Sequence, residues 1–118
     1  MQLDSVSGWV TGVRHCPSAN YNQRPHGEVS LLVIHNISLP PGQFATGKVQ
    51  EFFTCGLRAD EHPYFAAIAD MRVSAHFLIE RDGTVSQFVS CLERAWHAGV
   101  SSFAGQDNCN DFSLGIEL

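Results

Sequence analysis

The sequence predicts an α/β fold in which short helices pack against a β-sheet. Residues Leu31–Ile34 form an unbroken apolar run, which is typical of a buried strand. Two further strand-like segments, 74–79 and 84–89, flank an Asp82-Gly83 turn signal and predict a β-hairpin. Apolar residues at helical spacing lie between these strands, and this alternation characterises α/β proteins. With 118 residues, 44% of them hydrophobic, the chain is long enough for one domain with a real core.

The first 29 residues are expected to contribute little regular structure. Trp9, Val10 and Val13 predict a short edge strand. Residues 14–29 are rich in Pro, Asn, Ser and Gly, and this composition predicts a loop.

The strand formed by Leu31–Ile34 ends at His35, and we expect it to be central and covered on both faces. Functional groups of α/β sheets often lie at the carboxyl ends of such strands. One hypothesis is therefore that His35 is a metal ligand. The alternative is a buried histidine that hydrogen-bonds its neighbours, and its type and position alone leave both open.

Two short helices are predicted after this strand and the Pro-rich loop that follows it. Thr46 is expected to cap the first helix, over residues 47–55, with Val49, Phe52 and Phe53 on its buried face. Pro63 is a favoured first-turn residue and should begin the second helix, with His62 as its cap. Its buried side should hold Tyr64, Phe65 and Ile68.

The last segment, residues 111–118, reads as a strand with two different faces. Alternate positions are apolar on one face, while Ser113, Gly115 and Glu117 lie on the other. Gly115 should leave space beside Glu117, and a carboxylate in an apolar strand next to a gap suits a general base. The alternative is a solvent-facing residue on a half-exposed strand.

Charge and composition narrow the class of partner. The formal charge of -5, with the basic residues scattered, argues against nucleic-acid binding. The polar start lacks the pattern of a secretory signal, and no apolar run is long enough to span a membrane. We therefore expect a cytoplasmic protein with no membrane contact, no obligate protein partner and four reduced cysteines.

Five blocks of sequence, in order, resemble one enzyme family over nearly the whole chain. They are Leu32–Gly42, Val73–Ile79, Arg81–Gly83, Ala95–Gly99 and Asn110–Leu118. Together they resemble the N-acetylmuramoyl-L-alanine amidases of the AmpD type, which act in bacterial cell-wall recycling. The resemblance implies a mixed central β-sheet flanked by helices, a fold shared with phage amidases and peptidoglycan recognition proteins.

The resemblance also implies a chemistry and a set of site residues. Relatives hold zinc with two histidines, one aspartate and a water, and cleave the amide bond between muramic acid and L-alanine of muropeptides. The first zinc ligand matches His35, and the catalytic glutamate matches Glu117. Asn36, Trp96, His97 and Ala98 match positions that line the substrate groove. Arg72 is added because arginine pairs well with carboxylates, such as those of the peptide stem. The alternative for Arg72 is an ordinary surface charge.

The second histidine ligand, the aspartate ligand and a catalytic lysine of the family would all lie beyond residue 118. We therefore expect residues 1–118 to be the N-terminal two thirds of a single amidase domain, a C-terminally truncated copy that is inactive alone. Two alternatives stay open. One is a muropeptide-binding module without catalysis, and the other is a self-contained metal site of His35, His76 and His97.

Overall fold

The computed structural model describes all 118 residues and consists mainly of short strands around two helices. The strands are β1 (Gln2–Leu3), β2 (Val10–Thr11), β3 (Arg14–His15), β4 (Tyr21–Gln23), β5 (Leu31–His35), β6 (Phe77–Ile79), β7 (Val85–Gln87), β8 (Glu93–Ala95), β9 (Ser102–Phe103), β10 (Gln106–Asp107) and β11 (Ser113–Glu117). The helices are α1 (Lys48–Phe53) and α2 (Pro63–Ile68), and a 3₁₀ turn covers Cys109–Phe112. Neither helix has the length and apolar character needed to cross a membrane.

Five strands form one mixed sheet, in the order β3, β7, β6, β11 and β5. β11 runs parallel to both β5 and β6, whereas β6 and β7 form an antiparallel hairpin. The hairpin turns at Gly83, whose φ of 88° is a conformation that glycine adopts without strain. The predicted α/β class, the hairpin and the mixed sheet flanked by helices are thus all present.

The place of β5 in the sheet differs from the prediction. β5 pairs only with β11 and lies at the sheet edge, while β11 is the strand with neighbours on both sides. Leu32 and Ile34 remain 55% and 53% exposed, so one face of β5 is open. The unbroken apolar run of β5 therefore did not indicate burial on both faces. The local sequence of a strand does not record how many neighbouring strands pair with it.

The two helices begin close to the predicted positions. α1 is capped by Gly47 rather than Thr46, although the Thr46 hydroxyl accepts a hydrogen bond from the Lys48 N–H at 3.2 Å. In α2, Pro63 occupies the first turn, and the His62 ring accepts a hydrogen bond from the Tyr64 N–H at 3.0 Å, as predicted.

α1 buries Val49, Phe52 and Phe53 as predicted, whereas α2 buries only Phe65 of its three predicted side chains. Phe65 is 1% exposed, whereas Tyr64 is 45% exposed, because a helix of six residues presents only one narrow face to the core. The predicted loop over residues 14–29 is also partly wrong, since it contains β3 and β4, which pair with β7 and β8.

The main core joins the helices to one face of the sheet. Its members come from α1, α2, β6 and the segment after β7, and they include Val49, Phe52, Phe53, Phe65, Leu78, Phe88 and Val89. Leu78 is paired with Glu117 across the parallel β6 and β11, so both side chains point to this face. The polar face of β11 is therefore the buried one. Ser113 is fully buried and Glu117 is 8% exposed.

Candidate active site

The parallel pairing of β5 and β11 places two predicted site residues side by side. Glu117 is the register partner of His35, and both stand at the carboxyl ends of their strands. The backbone continues the pairing beyond them, since the Leu118 N–H donates to the His35 carbonyl at 3.0 Å. Residues 82 positions apart in the chain thus become neighbours, and the site lies at this edge of the sheet.

Glu117 is held in an environment that opposes its negative charge. Its Oε2 atom is buried and has no hydrogen bond partner. Burial raises the pKa of Glu117 to about 7. A carboxyl group with a pKa near neutrality both takes and returns a proton efficiently at physiological pH, so the arrangement suits a general base. The alternative of a solvent-facing residue is wrong, because Glu117 is only 8% exposed.

His35 contacts a second histidine from the segment after β8. Its Nε2 lies 2.9 Å from Nδ1 of His97, and Nε2 of His97 lies 3.1 Å from the Ser113 hydroxyl. Burial lowers the pKa of both histidines, and the neighbouring His35, His76 and Arg24 lower that of His97 further, to about 3. The His97 ring is therefore neutral at physiological pH.

Gly115 makes room for His97 rather than for Glu117. A Cβ atom at this position would lie 2.6 to 2.7 Å from three atoms of the His97 ring. The ring therefore packs directly on the β11 backbone. Gly115 does leave the predicted space on this face of β11, but the imidazole of His97 fills it.

His76 serves the scaffold and has no nitrogen free for a metal. Its Nδ1 accepts a hydrogen bond from the Gly115 N–H at 3.1 Å. The proton must then be on Nε2, which donates to the Glu93 carbonyl at 2.9 Å. Burial is the main cause that lowers the pKa of His76 to about 4. A metal site of His35, His76 and His97 is thus contradicted.

Arg24 organises the segments beneath these histidines. It is 5% exposed, and its guanidinium donates to four backbone carbonyls, those of Cys91, Asn110, Asp111 and Ser113, at 2.9 to 3.3 Å. Its positive charge also disfavours protonation of His76. The sequence contained no signal for this role, because Arg24 lies in a Pro-rich segment that reads as a loop.

The residues of this chain do not by themselves fit a catalytic zinc site. Such a site needs three protein ligands and one open position. No group of three or more His, Cys, Asp or Glu side chains is arranged to hold a metal ion. His35 is available as one donor through Nδ1, since Nε2 contacts His97.

Of the five predicted groove residues, Ala98 and Asn36 line surface depressions, and the two depressions are separate. Ala98 and His35 line a shallow groove of about 390 Å³ along the apolar residues of β5. Asn36 borders a separate cleft of about 470 Å³, which Tyr64, Met71 and Arg81 also line. Arg72 is exposed, has no ion-pair partner and lines neither of them.

Trp96, His97 and Ala98 are positioned by asparagines that the sequence did not single out. The Trp96 indole donates to the Asn22 side chain at 3.0 Å. The backbone N–H groups of His97 and Ala98 both donate to Oδ1 of Asn110, at 3.1 and 2.9 Å. Because Asn110 accepts from both N–H groups, neither of them is available to donate to a ligand.

Comparison with known proteins points to a single family. A model described as N-acetylmuramoyl-L-alanine amidase (Amidase_2) matches residues 23–118. The 1,6-anhydro-N-acetylmuramyl-L-alanine amidase AmpD of Citrobacter freundii is 55% identical over 119 residues, which cover 100% of this chain and 63% of that protein. The protein of the same name from Escherichia coli K12 is 54% identical over 112 residues, which cover 94% of this chain and 61% of that protein.

Solved structures give the same result. A crystal structure of a selenomethionine AmpD derivative matches 99% of this chain with a TM-score of 0.95 at 53% identity. The match covers 65% of that chain. The present chain therefore spans less than two thirds of the length of these relatives, and the predicted fold class and family resemblance are confirmed over that span.

Proposed function

The chain belongs to the N-acetylmuramoyl-L-alanine amidase family, and we propose that it acts in hydrolysis of the amide bond between (anhydro-)N-acetylmuramic acid and L-alanine of muropeptides. The observation that carries this proposal is the pairing of the buried Glu117 with the half-buried His35 at the ends of two adjacent parallel strands. Its setting is peptidoglycan recycling in the cytoplasm, and its partner is a small muropeptide. Residues 1–118 are proposed to be the N-terminal two thirds of one amidase domain.

Glu117 is the proposed catalytic residue. Its carboxylate takes a proton from the water that attacks the amide carbonyl, and it passes this proton to the departing amino group of L-alanine as the C–N bond breaks. The raised pKa of Glu117, about 7, supports both transfers. The buried, unpartnered Oε2 supports the assignment, because a structural carboxylate in this position would have a hydrogen bond donor beside it.

Zinc is the proposed cofactor of the complete site, with His35 as one ligand. The other protein ligands are proposed to come from sequence outside residues 1–118, since this chain has no three-ligand group. It follows that the 118-residue polypeptide alone should show little or no amidase activity. The neutral state of His35, favoured by its lowered pKa, is the form that binds metal.

Substrate contacts are proposed for five residues, of which Ala98 and Asn36 have the most direct support. Ala98 shares a groove with His35, and Asn36 follows His35 directly in the chain. His97 and Trp96 flank the same segment. Arg72 is proposed to bind a carboxylate of the peptide stem, which is consistent with its exposed guanidinium.

The second candidate function is muropeptide binding without cleavage. The observation that favours it is the lack of a three-ligand metal group. Glu117 weighs against it, because burying a carboxylate without a partner destabilises the fold and a binding module gains nothing from it.

A chimera separates the two candidates. We would join residues 1–118 to the part of the Citrobacter freundii relative that this chain does not cover, add zinc, and measure release of peptide from anhydro-muropeptide. An active chimera that loses activity on Glu117→Gln, but keeps it on Glu51→Gln at a partly exposed helix position, supports the amidase proposal. Equal activity of the Glu117→Gln chimera would overturn the role of Glu117. Binding of muropeptide by a folded, inactive chimera, measured by calorimetry, would favour the binding module.

A further inference from the structure

The indole of Trp96 is held by a side-chain network that joins three separate parts of the chain. Its Nε1–H donates to Oδ1 of Asn22 at 3.0 Å, and the same oxygen accepts from Nε of Arg94 at 2.8 Å. Arg94 also forms an ion pair with Asp111 through Nη1. The network therefore runs from β4, through β8, to the 3₁₀ turn that precedes β11.

The antiparallel pairing of β4 and β8 builds this network. Asn22 and Arg94 are register partners, so their side chains lie opposite each other on one face. Two N–H donors converge on one atom of Asn22, and only its carbonyl oxygen can accept both. Asn22 itself is exposed, whereas the side chains of Arg94 and Asp111 are 27% and 24% exposed. The charged guanidinium therefore keeps the amide in place against competing water, because hydrogen bonds from ionised donors are the stronger ones.

We propose that Asn22 and Arg94 are positioning residues that hold the Trp96 ring for the substrate. Arg94, anchored on Asp111, fixes the amide of Asn22, and Asn22 fixes the indole. This proposal rests on the proposed function and deepens it, because that function assigns a substrate contact to Trp96. Since the indole N–H is already used, Trp96 offers a ligand the face of its ring and no hydrogen bond donor.

The ring and the backbone of Trp96 are fixed independently of each other. The Trp96 N–H donates to the Ser74 hydroxyl at 3.1 Å, and the Trp96 carbonyl accepts from the Ser74 N–H at 3.0 Å. Loss of the Asn22 oxygen therefore leaves the backbone in place and frees the indole to rotate about its side-chain bonds. The expected result is a mobile ring on an unchanged fold, which distinguishes positioning from a general effect on stability.

Hydrogen exchange of the two tryptophan indoles tests the positioning without substrate or metal. We would label the 118-residue chain with ¹⁵N and measure exchange of each indole N–H with water by NMR at neutral pH. The Trp9 ring packs on His15 instead and provides the internal control. Exchange of the Trp96 indole as fast as that of free indole would overturn the proposal, and this measurement requires no variant to fold.

Variants of the network then identify the residues responsible. In Asn22→Ala and in Arg94→Met, the Trp96 indole N–H is expected to exchange about 3- to 10-fold faster, while the Trp9 signal stays unchanged. Asn22→Asp keeps an acceptor oxygen and should keep the slow exchange. Gln23→Ala, at the next exposed position of β4, is the matched control and should have no effect. An unchanged rate for Trp96 in Asn22→Ala would overturn the proposal, and an unchanged rate in Arg94→Met would overturn the role of Arg94.

The chimera described above connects the ring to the substrate. There, Asn22→Ala is expected to raise KM for anhydro-muropeptide about 3- to 10-fold and to change kcat less than about 2-fold. A variant that only folds less well would lower the apparent kcat and leave KM unchanged, and this outcome would overturn the proposal. An inactive chimera would count against the proposed function alone, because indole exchange does not depend on activity. Failure of this inference and failure of the proposed function are therefore distinguishable.

Discussion

Gly115 is the position where one methyl group most directly tests the packing of the site. In Gly115→Ala the new Cβ would lie 2.6 Å from Cγ of His97. This is about 1 Å shorter than an ordinary carbon contact. The clash falls on the base of the ring rather than on the end of a flexible side chain, so the whole imidazole has to move. Movement breaks its hydrogen bonds to Ser113 and His35.

Three contributions set the expected change in the free energy of unfolding of Gly115→Ala. Overpacking of a buried position costs about 1–3 kcal/mol. Loss of two hydrogen bonds adds about 1–3 kcal/mol. Replacing glycine by alanine in an unstrained strand returns about 0.4–1 kcal/mol, because the unfolded chain loses freedom. We therefore expect Gly115→Ala to lower the free energy of unfolding by about 3 kcal/mol.

Urea unfolding of four chains measures this loss of stability and tests whether the clash with the His97 ring causes it. The chains are the unmodified protein, Gly115→Ala, His97→Ala and the double variant. Once His97 is alanine, the methyl group at position 115 enters vacated space, so the second substitution should cost about 0–1 kcal/mol there or stabilise the chain slightly. An equal cost of Gly115→Ala in both backgrounds, or no cost in either, would refute the account of His97 packed on β11.

Three further predictions concern buried polar groups. Because the pKa of His76, about 4, lies below its ordinary 6.5, the unfolded chain binds the proton more readily, and stability should fall by about 3 kcal/mol from pH 6.5 to 4. Urea unfolding across this range should show a smaller loss in His76→Gln, and an unchanged loss would contradict the cause. The pKa of Glu117 is raised from 4.5 to about 7, so its ionisation destabilises the fold as pH rises through this interval. Glu117→Gln should therefore stabilise the chain by about 2–3 kcal/mol at pH 8 but hardly at pH 4, a difference that denaturant titrations at the two pH values would reveal. Arg24→Met removes four hydrogen bonds to carbonyls and should cost about 3 kcal/mol or more in thermal unfolding, whereas Arg58→Met, which breaks an exposed ion pair, should not shift the midpoint measurably.

Elements whose signals are local were predicted well from the sequence. The hairpin is marked by Asp82-Gly83, and α2 is marked by Pro63 with a capping His62, so in each case the residues that determine the structure are adjacent in the chain. The position of β5 at the sheet edge was not predictable in this way. It depends on how many strands pair with β5, and no property of Leu31–Ile34 records that number.

The same distinction applies to the site. His35 and Glu117 were identified because each ends an apolar strand, and because their surroundings resemble a family. The roles of Ser113 and Asn110 depend on a contact with the segment after β8, and a serine or asparagine in an ordinary polar segment gives no sign of it. Glu117 was identified, but its burial could not be predicted, because it depends on the distant segments that pack on the polar face of β11.

The central position of β11 has a consequence for how the chain folds. β11 follows every other element described, yet it supplies the only sheet partner of β5 and joins β5 to the hairpin. During synthesis on the ribosome, the apolar edge of β5 must therefore wait without a partner while residues 36–112 are made. Closing so long a loop is slow, and an unpaired apolar strand is open to association with other chains in the interval. The site at Glu117 and His35 therefore cannot assemble until β11 has been made and has paired with β5.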